Sequence, residues 1–161
     1  MVIHNIDPVY DCDSRYLILG SFPSVKSRET GFFYGHPQNR FWRVLASVFG
    51  DNVPRTIDEK KRFLLKNNVA LWDAIASCEI DGSSDTTIRE VVPNDIGQIL
   101  EEAKIENVFC NGNKSYETYM KYIFPSVGIK PILLPSTSPA NAAKSLETLA
   151  EIWKNKILGG K

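Results

Sequence analysis

Histidine and methionine are scarce in this chain, two of each in 161 residues, and cysteine occurs only three times. Cys12, Cys78 and Cys110 lie far apart and form no C-x-x-C pair, a pattern that excludes a disulfide framework, a zinc finger and a cysteine-ligated iron–sulfur cluster. They are expected to be buried, reduced thiols. With His4 and His36 alone to draw on, a Ser-His-Asp triad has almost no material, and His36 has no evident serine partner. An excess of either charge is also missing. Lys and Arg number 19 and Asp and Glu 19, so the chain has no global cationic field and any nucleic-acid contact must come from a local patch. No apolar run approaches the roughly 18 residues that span a bilayer, and the N-terminus lacks a basic segment followed by an apolar one, so an intracellular protein is expected. The triphosphate, dinucleotide, nucleophile-elbow and H-E-x-x-H motifs are absent, which argues against covalent and metal chemistry and against any cofactor.

What is present reads as one domain over residues 1–161, with 43% hydrophobic and 24% charged residues, enough to build a core. Short apolar runs alternate with helical patterns. Tyr16 to Leu19, Val69 to Trp72, Asn107 to Cys110 and Pro131 to Leu134 read as strands. Between them fall a helix opening near Asn39, one capped by Thr56 and Glu59, one starting at Pro93, one running to a stop at Pro125, and a last one from about Ala142 to Gly159-Gly160. Residues 73–92 read as mostly polar loop. Four strands interleaved with helices predict βαβ units and a three-layer α/β/α sandwich around a short four-stranded parallel sheet. Ligands in such sheets bind beyond the strands' carboxyl ends, here Gly20 to Pro23, Asp73, Asn111-Gly112 and Pro135 to Asn141.

The most unusual stretch joins the first strand to its helix. Gly20-Ser21-Phe22-Pro23 is a backbone-exposing turn, and the following loop sets Phe32, Phe33 and Tyr34 between Gly31 and Gly35. Rings so placed either fold inward or hold a flat ligand. Asn39 sits at or near a helix N-cap on the rim of that enclosure. Backbone amides, rings, hydroxyls and one carboxamide suit a flat heterocycle better than a strong nucleophile.

These residues resemble the uracil-DNA glycosylase superfamily. Gly20 to Ser24 looks like its first motif. Thr30 to Trp42 closely resembles the segment that follows that motif in the mismatch-specific and hypoxanthine-DNA glycosylase branches, and Leu134 to Asn141 falls where the second motif lies. There are two departures. Phe22 stands where mismatch-specific members carry a water-positioning Asn, and Ser136 stands where many relatives carry a histidine. The hypoxanthine-DNA glycosylase branch instead has its catalytic amide just before Arg-Phe-Trp, which is Asn39 here.

The resemblance implies a DNA repair enzyme that works as a monomer, without metal, on double-stranded DNA holding a deaminated base, at the nucleoid if prokaryotic. Its base pocket would comprise Gly20, Ser21, Phe22 and Pro23 with Tyr34, or less readily Phe33, as the stacking ring. Asn39 would orient water through its carbonyl oxygen. Ser136, Ser138, Pro139, Ala140 and Asn141, taken to lie at the last helix's N-terminus, would grip flanking phosphates with help from Lys114. Ala140 replaces the leucine wedge of some relatives. No lysine lies in either motif, so strand cleavage through a Schiff base is not expected. The residues alone leave blander roles open: Asn39 as a helix cap, Tyr34 and Phe33 as core rings, His36 as loop packing, and residues 136–141 as a turn. Two other functions also stay open, a uracil-preferring glycosylase and a non-catalytic nucleic-acid or nucleotide binder on the same fold.

Overall fold

The computed structural model describes residues 1–4 and 6–159. Its centre is a parallel sheet of β2 (Tyr16–Gly20), β3 (Val69–Asp73), β6 (Asn107–Asn111) and β7 (Ile132–Leu134), in the order β3-β2-β6-β7. The register aligns Gly20 with Asp73 and Asn111 with Leu134, so the carboxyl ends of the strands finish along one edge. Strand β2 is buried along its whole length, as an uninterrupted apolar run in a parallel sheet requires.

Helices cover both faces, and a short helix, α1 (Val25–Thr30), follows β2. On one side lie α2 (Phe41–Phe49), α3 (Ile57–Lys66) and α7 (Leu146–Leu158), whose Phe41, Leu45, Leu64, Leu149 and Trp153 pack on Ile18, Leu71 and Phe109. On the other lie α4 (Ile96–Glu102) and α5 (Asn113–Thr118), where Ile96, Ile99 and Tyr119 meet Leu17, Leu19 and Val108. Each fully enclosed Leu or Ile contributes roughly 1.5–3 kcal/mol from burial. The expected three-layer sandwich is the observed one.

Four local expectations need correction. Residues 73–92 are not mostly loop. They form β4 (Ile75–Glu79) and β5 (Arg89–Pro93), which with β1 (Val2–Ile3) make a separate antiparallel sheet, β1-β4-β5. It escapes notice because β4 and β5 alternate weakly and β1 is only two residues long. Pro125 does not end its helix. It starts α6 (Phe124–Val127) after a π-helical turn at Tyr119–Ile123, and the stop is Gly128 at φ 72°. Proline offers no N–H to the ladder and crowds the preceding turn, so the widened turn accommodates it. Cys12 is exposed, while Cys78 and Cys110 are the buried thiols expected.

Helix α7 starts later than its apolar pattern predicts, with Ser145 as N-cap accepting from the Thr148 N–H. Residues 136–141 are therefore an irregular loop and have no helix N-terminus to offer a phosphate. Gly159 caps the helix. Gly160, the second glycine of the expected stop, lies outside the described residues.

Candidate active site

At the carboxyl edge of the parallel sheet, one chain of polar contacts links the ends of β6 and β7 to the loop before α2. Asn111, the last residue of β6, donates through Nδ2 to the Tyr34 hydroxyl (3.1 Å) and to Thr137 Oγ1 (3.1 Å), while its Oδ1 accepts from the Thr137 N–H (3.1 Å). Thr137, fully buried just past β7, donates its hydroxyl hydrogen bond to Asn39 Oδ1 at 2.9 Å. A second donor, the Phe41 N–H, reaches the same oxygen at 2.9 Å. Asn39, one residue ahead of the N-cap Arg40, thus braces the first residue of α2, and both lone pairs of its carbonyl are taken. The expectation that this oxygen orients a water meets those two bonds. What the side chain has left to offer is Nδ2, which takes no protein acceptor among the described residues.

Arg40 fixes the loop that supplies Thr137. Its N–H donates to the Thr137 carbonyl, and its guanidinium reaches the carbonyls of Ser138, Asn141 and Lys144 at 3.1, 2.9 and 2.5 Å. Within that loop Ser136 Oγ accepts from the Ser138 N–H, Asn141 Nδ2 donates to the Ser136 carbonyl, and Ser138 Oγ accepts from the Ala140 N–H. Pro139 and Ala140 form its exposed tip. The Ser136 and Ser138 oxygens and the Asn141 amide shape the loop, and the two hydroxyl protons take no protein acceptor among the described residues.

Tyr34 is held in the left-handed region, φ 52°, a conformation costing a side-chain-bearing residue roughly 1–2 kcal/mol. A ring stack on Phe41, 4.0 Å between centroids at 14°, and the bond from Asn111 hold it there. Burial raises the Tyr34 phenol far above its ordinary range, helped by the negative charge of Asp73, so the hydroxyl stays protonated. Phe33 is only 1% exposed, lies edge-on to Phe32, and gives its carbonyl to Trp42 Nε1; it is a core ring. His36 accepts the Gln38 N–H through Nδ1 and organises its own loop.

The first-motif turn is strapped to the β3–β4 connection by the Ala74 N–H on the Gly20 carbonyl and the Ile75 N–H on the Ser21 carbonyl. The N–H groups of Ser21 and Phe22 take no protein acceptor among the described residues, leaving two adjacent donors available. Phe22 packs edge-on to His4 with the Arg28 guanidinium 5.4 Å over its ring, and Pro23 is buried behind it. Gly20 is compulsory. A Cβ there would stand 2.4 Å from Asp73 Oδ1 and 2.8 Å from the Tyr34 hydroxyl.

Asp73 is the residue that sequence reading undervalued, noting it only as a strand end. It is 3% exposed, and its Oδ2 is the single enclosed side-chain oxygen or nitrogen among the described residues without a hydrogen-bond partner. Burial pushes its carboxyl up to about 7, aided by the negative charge of Asp85, which itself accepts from Ser21 Oγ at 3.0 Å. An aspartate closing a buried strand was the available signal, since such a group is rarely enclosed without a partner. Among the described residues no cluster of His, Cys, Asp and Glu could hold a metal ion, and no helix is long and apolar enough to cross a membrane.

The carboxyl edge of the parallel sheet thus gathers an amide braced against a helix start, a strained tyrosine, unpaired backbone donors and a buried carboxyl, groups that suit a flat, uncharged heterocycle. The model of the Uracil DNA glycosylase superfamily matches residues 8–156, and the chain belongs to that superfamily. It is 34% identical over 149 residues to a hypoxanthine DNA glycosylase of Methanosarcina barkeri, covering 91% of this chain and 92% of the relative. A second hypoxanthine DNA glycosylase, of Methanosarcina acetivorans, is 34% identical over 145 residues, 88% of this chain and 89% of that one. The fold is similar to the solution NMR structure of a Methanosarcina acetivorans protein provisionally assigned as a uracil DNA glycosylase, with a TM-score of 0.80, 29% identity, and 96% of this chain and 98% of that chain covered.

Proposed function

We propose that this protein is a monofunctional DNA glycosylase that removes hypoxanthine, the deaminated form of adenine, from duplex DNA. The observation that carries the reading is the bonded chain Asn39–Thr137–Asn111–Tyr34, which ties the amide implied by the hypoxanthine branch to the aromatic loop and to the strand ends. Full-length similarity to two hypoxanthine DNA glycosylases supports the choice of base.

The flipped base enters against Tyr34 and the turn from Gly20 to Pro23, a rotation costing a few kcal/mol and least for a weakly paired base such as hypoxanthine opposite thymine. As the bond to the sugar lengthens, negative charge grows on the base and positive charge on C1′. The free N–H groups of Ser21 and Phe22 are fixed donors for the base's carbonyl, stronger in the transition state than before it. Asn39 holds the attacking water by donating Nδ2–H to its oxygen, leaving a second lone pair for C1′. The bonds from Phe41 and Thr137 to its carbonyl lock that orientation. A carboxamide has no useful pKa, so its contribution is positioning. Lys114 and the tip at Pro139 and Ala140 lie on the rim, where backbone phosphates of the flanking strand would pass.

Duplexes containing inosine, uracil or xanthine, incubated with the protein and then treated with hot alkali, test this. Strand breaks only after alkali, fastest for inosine, are expected. Breaks fastest for uracil would favour the uracil reading, and no breaks on any duplex would refute glycosylase activity.

A further inference from the structure

Asp73 lies against the same turn that offers the free amides, and no step described so far uses it. Its surroundings supply no counter-ion. His4 is the nearest base, with Nε2 4.0 Å from Asp73 Oδ2. That nitrogen faces the Ile75 carbonyl at 2.9 Å while Nδ1 accepts the Ile6 N–H at 3.2 Å, a pattern only the neutral imidazole satisfies. Burial also lowers the His4 pKa. From the aromatic loop the Tyr34 hydroxyl, which stays protonated, borders Gly20 beside Asp73, and from the turn at Asp85–Thr87 the negative charge of Asp85 acts on it. Lys114 acts on Asp85 and so reaches Asp73 only through it. An enclosed carboxyl facing two neutral groups and one anion holds a proton. The carboxyl lies directly against the bare α-carbon of Gly20, where a Cβ would come within 2.4 Å of Asp73 Oδ1, so it borders the turn that carries the unpaired amides.

We propose that Asp73, in its protonated form, is the general acid that neutralises the departing base. The assignment rests on the glycosylase reading. In the step, the C1′–N9 bond breaks and its electron pair goes to the base. The Asp73 carboxyl proton passes to a ring nitrogen or the carbonyl oxygen of that base, which leaves as neutral hypoxanthine. Water adds its oxygen to C1′, and the proton it sheds returns through solvent to the Asp73 carboxylate. Atoms and charge balance without any further reactant.

The test is single-turnover excision from an inosine duplex between pH 5 and 9, for the unaltered protein and for Asp73→Asn, which keeps the shape and a hydrogen-bond donor but has no proton to give. The unaltered rate is expected to fall tenfold per pH unit above about 7, where the carboxyl ionises. The variant is expected to be slower by about 10²-fold or more at pH 6 and to show no such limb. A rate that is level or rising through pH 7 in the unaltered protein overturns the proposal even if the variant fails to fold. So does a folded variant within threefold of the original with the same profile. Cleavage by the original with an unaffected variant leaves the glycosylase reading standing, whereas no cleavage by the original removes both.

Discussion

Replacing Asp73 by Asn should stabilise the folded chain, and by an amount that depends on pH. The carboxyl titrates at about 7 in the fold against an ordinary value of 3.8. Between those values the folded chain keeps a proton that the unfolded chain has lost, so stability declines as pH rises from about 4 to about 7 and levels off above. Three pKa units at roughly 1.36 kcal/mol each amount to about 4 kcal/mol. Asparagine carries no ionisable proton there, so the variant's advantage over the original is small near pH 4 and approaches about 4 kcal/mol at pH 8. In urea, with a slope of about 2 kcal/mol/M for a chain of this size, the midpoint should rise by roughly 2 M at pH 8. Trp42, Trp72 and Trp153 all pack in the core and report unfolding by fluorescence. A midpoint difference that stays constant from pH 4.5 to 8 would refute the reasoning, because an uncharged packing effect does not titrate. Together with the excision assay, the variant is expected to be both more stable and less active, as follows when an unfavourable group is kept for chemistry.

Asn39→Asp keeps an acceptor for Phe41 and Thr137 but loses both N–H donors, so excision should fall by about 10²-fold with urea stability changed by under about 1 kcal/mol; an undiminished rate would exclude Nδ2 from the reaction. Gly20→Ala drives a methyl into Asp73 and Tyr34, which should cost roughly 1–3 kcal/mol and abolish excision, both measurable on one preparation. Lys114→Ala should weaken binding to undamaged duplex and lower the slope of log affinity against log salt by about one, and an unchanged slope would remove Lys114 from the phosphate contacts.

Much of the fold was legible because the parallel sheet rests on local signals. Tyr16 to Leu19, Val69 to Trp72 and Asn107 to Cys110 are unbroken apolar runs bounded by turn residues, and α2 and α3 show one-sided periodicity with a capping threonine at 56. The antiparallel sheet was not legible, because β1 pairs with β4 across more than 70 residues and β5 is half exposed. The start of α7 was misjudged because an Ala–Asn–Ala–Ala run scores as helix until Arg40, from a distant part of the chain, claims the carbonyls of Ser138, Asn141 and Lys144.

For the site, the sequence by itself determined which residue types stand at the strand ends, since chain order and the right-handed βαβ rule carry them to one edge. It also determined that metal and covalent chemistry have little to work with. Only the tertiary structure decided what those residues can offer. Asn39 gives its oxygen to α2 and Thr137 and keeps its amide, Ser136, Ser138 and Asn141 shape their own loop, and Asp73 Oδ2 is enclosed without a hydrogen-bond partner. Hydrogen-bond partners and burial are set by contacts between segments remote in sequence, and they alone fix whether a side chain holds a proton, donates one or merely caps a helix.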